Sequence, residues 1–178
     1  MLKPAIFLDR DGTLIEDLGY IKKLEDVKFF QETFTVLRRL QEKFLLFIIT
    51  NQSGISKGIT TENEVMLVNK YIVETLKSNG ILISHVYCCP HSNEDNCLCK
   101  KPKPFFIQQA TESYNLNLED SYIIGDHPSD VECGINGNIK PIYVLTGHGE
   151  KHKNELKYEC IICDNIAEAS KYIIEINQ

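Results

Sequence analysis

The sequence predicts an α/β fold with a doubly wound, mainly parallel sheet. Short apolar runs rich in Ile, Val, Phe and Tyr recur along the chain, and stretches with helical spacing separate them. Runs of that length and composition suit strands buried on both faces, and their alternation with helices implies parallel pairing through crossovers. In addition, polar residues cluster directly after three of the runs, where a parallel sheet presents its ligands.

The first strand is AIFL at 5–8, followed by a helix at 32–43. The second strand, FLLFIIT at 44–50, leads to a helix at 62–79 in which Val65, Val68, Ile72 and Leu76 fall on one stripe. Thr61 and Glu64 have the spacing of a capping box at its start. SHVYCC at 84–89 is the third strand, 104–114 the next helix, SYIIG at 121–125 the fourth strand and 128–136 the helix after it. PIYVLTG at 141–147 is the fifth strand, and 166–176 a terminal helix. In YECIICDN, Ile161 and Ile162 suggest a further buried strand, whose Cys160 and Cys163 are expected to pack in the core rather than act in redox chemistry.

Composition narrows the function classes. At 178 residues, with 43% hydrophobic and 25% charged residues, the chain suits one domain with a full core, expected over 1–178. The net charge of −6 argues against a broad nucleic-acid footprint, while leaving room for a small anion where positive charge gathers locally. No segment approaches the roughly 20 apolar residues of a membrane span. The start, MLKPAIFLDR, has no apolar core of signal-peptide length, so a cytoplasmic protein without a membrane partner is expected. Seven cysteines in such a chain suggest thiols or metal ligands rather than disulfides.

Asp9 and Asp11 leave the first strand two residues apart, so in extended backbone their side chains face the same way. Asp-Gly alone suits a simple turn. The other strand ends tip the balance toward a site: Thr50, Asn51, Gln52 and Ser53 follow the second strand, Asp126 follows the fourth, and Asp130 comes four residues on. Carboxylates converging at one edge repel and raise each other's pKa. A hard, oxygen-seeking ion relieves this, and Mg²⁺ commonly sits between carboxylates and a substrate phosphate. Thr50 and Ser53 offer hydroxyl and backbone donors, and Lys100, Lys101 and Lys103 in CKKPKP gather positive charge in an acidic chain. His127 is either a pocket residue or an exposed residue at a helix start.

A second metal is expected for a different purpose. Cys89, His91, Cys97 and Cys99 follow the pattern C-x-H-x5-C-x-C, a tetrahedral zinc set of three thiolates and an imidazole. With every position filled by protein, Zn²⁺ there would be structural, fixing a loop at about 88–103 that presents Lys100 and Lys101. Cys88 is expected to point away from this set, and Cys133 to lie on a packed helix.

DRDGT, TNQSG, KKPKP and GDHPSD stand in the order and spacing of the haloacid dehalogenase-like (HAD-like) phosphatases, which the chain resembles from about residue 5 to 149. That resemblance implies a HAD-like Rossmannoid sheet with a minimal cap, and a two-step phosphoryl transfer. By it, Asp9 is the nucleophile and Asp11 the general acid and base. Thr50 and Lys101 bind the phosphoryl oxygens. Asp9, the Asp11 backbone carbonyl and Asp126 hold Mg²⁺, with Asp130 supporting them.

Within that superfamily, the zinc loop resembles two related families, the D,D-heptose 1,7-bisphosphate phosphatases and the histidinol-phosphate phosphatases. DLGYIKKLEDVKFF and TNQSGISKG resemble the heptose enzymes, which release the 7-phosphate in nucleotide-activated heptose biosynthesis. The substrate is then a small phosphorylated sugar, contacted by Arg10, Asp17, Leu18, Gly19, Tyr20, Asn51, Gln52, Ser53, Lys100 and His127. Lys100 stands where the heptose enzymes usually have Arg, His127 where they usually have Lys, and the short zinc loop resembles the histidinol enzymes. The longer matches favour the heptose substrate. Without a long cap insertion the entrance should be open, with the zinc loop and 17–24 as its walls. A non-catalytic phosphate- and metal-binding module is the reading from another class, and the presence of Asp9, Asp11, Thr50, Lys101 and Asp126 together speaks against it. No long heptad appears, so a monomer is the default.

Overall fold

In the computed structural model, which describes residues 2–177, six strands pair in parallel. They are β1 (Lys3–Leu8), β2 (Leu45–Asn51), β3 (Ile83–Cys89), β4 (Leu116–Gly125), β5 (Lys140–Val144) and β6 (Ile161–Cys163), in the sheet order β3-β2-β1-β4-β5-β6. The chain steps outward from β1 to one edge, returns to β4, and then steps to the other edge. Strand order therefore reverses between β1 and β4, which opens a crevice beyond their carboxyl ends.

Helices α1 (Thr33–Leu40), α2 (Glu62–Ser78), α3 (Phe105–Tyr114), α4 (Pro128–Asn136), α5 (Gly149–His152) and α6 (Ile166–Ile176) complete the fold. Strand residues alternate between two cores, as a period of two requires. Ile6, Leu8, Leu46, Ile48 and Ile124 pack with Leu37 of α1, Val68, Ile72 and Leu76 of α2, and Ala169 and Ile173 of α6. Ala5, Phe7, Phe47, Ile49 and Ile123 pack on the opposite face with Ile107 and Ala110 of α3 and Cys133 of α4. Gly134 lets α4 lie close to β4, since a Cβ there would stand 2.6 Å from Ile123 Cγ2.

The expected stripe of α2 is buried throughout, and its capping box is present: Thr61 Oγ1 accepts from Glu64 N at 3.2 Å while Glu64 Oε2 accepts from Thr61 N at 2.7 Å. The reading of 160–163 needs correction. β6 lies at the sheet edge, so Ile161 and Ile162 are 37% and 40% exposed and only Cys163 is buried among the strand's residues. A short edge strand has one neighbour, and three residues cannot bury both faces. Among the described residues no helix is long and apolar enough to cross a membrane.

Ile72 is fully buried against the sheet, whereas Met66 on the same helix is 59% exposed. Ile72→Ala is expected to cost about 2–5 kcal/mol in urea unfolding, and Met66→Ala less than about 0.5 kcal/mol. Similar losses at the two positions would contradict the packing of α2.

Candidate active site

The carboxyl ends of β1, β2 and β4 deliver Asp9, Thr50 and Asp126 to one cavity of about 640 Å³. Asp9 remains part of the sheet, its N–H donating to Ile124 O at 2.9 Å. Gly12 then turns the chain with φ +80°, and a Cβ on it would collide with Asp126 Oδ2. Gly147, at φ +57°, presses on the same carboxylate from the turn after β5 and would also collide with it. Only glycine fits these positive-φ positions at such close approach.

The cavity brings together most of the residues singled out in the sequence: Asp9, Asp11, Asp17, Gly19, Tyr20, Thr50, Asn51, Gln52, Ser53, Lys100, Lys101, Asp126, His127 and Asp130. Two expectations fail. Leu18 is 54% exposed and does not line the cavity. Arg10, expected to touch substrate, is fully buried and faces away from it. Its Nε and Nη2 donate to the Asp11 carboxylate, each at 3.0 Å, and its Nη1 donates to Asn69 Oδ1 at 2.7 Å.

Lys101 is the buried centre of charge. Its ammonium lies 2.7 Å from Asp9 Oδ1 and 2.6 Å from Asp130 Oδ1, and donates to Ile49 O at 3.0 Å. Burial alone would depress its pKa, but Asp130 and Asp9 raise it, so the side chain stays charged. Asn51 fixes the loop beneath it, accepting from Lys101 N at 3.1 Å and donating to Lys101 O at 3.3 Å. Gln52 Nε2 donates to Asp11 Oδ2 and to Thr50 Oγ1, both at 2.8 Å, tying two candidate catalytic groups together. His127 fills both roles left open for it: it caps α4, its Nδ1 accepting from Ser129 N at 3.2 Å, and it lines the cavity.

One ammonium does not neutralise this site. Asp126 is buried, and its pKa is pushed up to about 8 by desolvation first and then by the charges of Asp9 and Asp130. Asp9 is raised for the same first reason. One oxygen from each of Asp9, Asp126 and Asp130 lies within 4.8 Å of the others. A cluster of hard oxygens with surplus negative charge fits a divalent cation.

The second cluster fits a softer ion. Cys89, His91, Cys97 and Cys99 converge, with Sγ–Sγ separations of 3.2, 3.7 and 3.7 Å and His91 Nδ1 3.3 Å from Cys99 Sγ. Zinc–sulfur bonds of about 2.3 Å in a tetrahedron place sulfurs about 3.8 Å apart, close to these spacings. Cys88 points elsewhere, into a groove between α2 and β3. The loop is also tied to the segment after β2: Asp95 Oδ2 accepts from Ser92 N and from Ser56 Oγ, both at 2.6 Å.

Comparison with known proteins agrees with this architecture. The chain is 38% identical over 173 residues to a D-glycero-beta-D-manno-heptose-1,7-bisphosphate 7-phosphatase of Helicobacter pylori, covering 95% of this chain and 96% of that protein. This chain belongs to the heptose-1,7-bisphosphate 7-phosphatase family of HAD-like hydrolases. A D-glycero-alpha-D-manno-heptose-1,7-bisphosphate 7-phosphatase of Campylobacter jejuni is 37% identical over 146 residues, covering 82% and 84% of the two chains. Residues 98–169 match the family model described as HAD-hyrolase-like. The fold is shared with the D,D-heptose 1.7-bisphosphate phosphatase from B. bronchiseptica complexed with magnesium and phosphate, with a TM-score of 0.90 and 23% identity over 97% and 99% of the two chains.

Set within this heptose bisphosphate phosphatase family, four cavity residues fall outside the sequence reading: Asn93, Pro102, Ser129 and His148. His148 is central among them. Its backbone N–H donates to Asp126 Oδ2 at 2.7 Å, and its Nδ1 lies 3.2 Å from Asp17 Oδ2. The strand-end rule, applied to the fifth strand as it was to three others, would have pointed to it.

The crowded carboxylates make stability depend on pH. Between the ordinary carboxylate value and about 8, folded Asp126 holds a proton that the unfolded chain releases, so stability falls as pH rises through that window. Asp9 adds the same sign, and charged Lys101 adds no slope there. Protein dialysed free of Mg²⁺ is therefore expected to melt several degrees lower at about pH 8 than at about pH 6, with added Mg²⁺ recovering more at the higher pH. A melting temperature that ignores both variables would contradict this account.

Proposed function

We propose that the chain is a Mg²⁺-dependent phosphatase that removes the 7-phosphate of D-glycero-D-manno-heptose 1,7-bisphosphate. The observation carrying this reading is the convergence of Asp9, Asp11, Thr50, Lys101 and Asp126 on one cavity. The relatives named for that substrate supply its identity.

A carboxylate is a poor nucleophile toward a phosphate dianion, because like charges repel. Bound by Asp9, the Asp11 carbonyl and Asp126, with Asp130 supporting, Mg²⁺ supplies the positive charge that offsets this repulsion. Lys101, 2.7 Å from Asp9, adds a fixed cation that also faces the phosphoryl oxygens, and the Thr50 hydroxyl donates to them. Asp9 attacks phosphorus while the P–O bond to the sugar breaks, and Asp11 gives its proton to the departing alkoxide. Water then attacks the aspartyl phosphate, Asp11 takes its proton, and phosphate leaves Asp9. Asp17, Gly19, Tyr20, Asn51, Gln52, Ser53, Lys100 and His127 form the walls that receive the sugar. A structural Zn²⁺ on Cys89, His91, Cys97 and Cys99 holds the loop carrying Lys100 and Lys101.

A side-by-side assay tests the reading. With Mg²⁺, the wild type is expected to release phosphate from heptose 1,7-bisphosphate faster than from histidinol phosphate, and Asp9→Asn to be slower by about three orders of magnitude or more. Preference for histidinol phosphate would overturn the substrate, and unchanged turnover by Asp9→Asn would overturn the mechanism. For the loop, metal analysis is expected to find about one zinc per chain, largely lost in Cys97→Ser together with thermal stability. Zinc-free wild-type protein of full stability would remove that assignment.

A further inference from the structure

Arg10 is a fully buried cation that the chemistry above does not use. A guanidinium is costly to bury and persists where its planar fork is matched. Here the fork grips the Asp11 carboxylate through Nε and Nη2, each at 3.0 Å, and the remaining arm, Nη1, donates to Asn69 Oδ1 at 2.7 Å. Asn69 projects from α2 at the groove between that helix and β3, outside the active-site cavity. Cys88 lines the same groove.

We propose that Asn69 and Arg10 form a brace that sets the plane of the Asp11 carboxylate, making both positioning residues for proton transfer to the leaving group. The proposal rests on the phosphatase reading above. A carboxylate turns freely about its last side-chain bond unless donors hold it, and general acid catalysis requires the proton to point at the departing oxygen. Gln52 holds Asp11 from the cavity side at 2.8 Å. Arg10 holds it from behind, and Asn69 keeps the guanidinium from swinging. A bidentate fork controls orientation in a way that a single donor does not.

The test compares leaving groups. Alkyl phosphates need protonation of the departing oxygen, whereas p-nitrophenol leaves as a stable anion. First-turnover release is measured for heptose 1,7-bisphosphate and p-nitrophenyl phosphate, using the full chain with Zn²⁺ and Mg²⁺. Asn69→Leu, which removes the acceptor, is expected to slow sugar release about tenfold or more while changing p-nitrophenol release less than about twofold. Asn69→Asp, which retains an oxygen acceptor, should recover most of that loss. Should Asn69→Leu not fold, Asn69→Ser, too short to reach Arg10, carries the same comparison. Equal losses on both substrates, or no loss on the sugar, would overturn the brace. Wild-type protein that cleaves neither ester would instead overturn the phosphatase reading beneath it.

Discussion

Much of this structure depends on the ammonium of Lys101, held between Asp9 and Asp130 at 2.7 and 2.6 Å in the protein interior. Breaking a buried ion pair by removing one partner costs about 3–5 kcal/mol, because the other charge is stranded. Lys101 answers two carboxylates at once, so its placement has to be exact in both distance and direction. The sequence meets that demand from separate directions. Asn51, at the end of β2, grips the Lys101 backbone on both sides. The cysteine loop fixes the segment just before it, with Lys100 Nζ donating to His91 O at 3.1 Å.

The sheet accounts for why these groups meet. Strand order reverses between β1 and β4, so Asp9 and Asp126 end on neighbouring strands whose onward connections leave toward opposite edges of the sheet. Glycine at 12 and at 147 lets two turns close on Asp126 from both sides. The resulting density of negative charge is unfavourable in isolation. Such a cluster fits a divalent cation, which would offset that charge.

Much of this was legible in the sequence, for physical reasons that also mark the limits. The stripe on α2 and its capping box are local patterns, and both are present in the structure. Parallel pairing places Asp9, Thr50 and Asp126 at one sheet edge, and the strand order brings them together. Arg10 was misread even though the same alternation that set Asp9 and Asp11 on one side sends the residue between them to the other. β6 was misread because an apolar run carries no sign of whether its strand is central or at an edge. Asn69 lies 59 positions from Arg10, and no local pattern announces such a pairing.

The segment at 17–20 is anchored largely by contacts of its own. Asp17 Oδ1 accepts from Gly19 N at 2.7 Å, and its other oxygen faces His148. Tyr20 packs over Gly54, where a Cβ would stand 2.5 Å from its ring, and its hydroxyl accepts from Lys57 Nζ at 3.1 Å. None of these side-chain contacts touches Asp9, Thr50 or Lys101, and His148 reaches Asp126 through its backbone alone. The molecule is thus two evolvable layers on one frame. Substitutions at 17–20 can then change which ester is admitted while Asp9, Thr50 and Lys101 keep their contacts, so a change of substrate need not pass through an inactive enzyme.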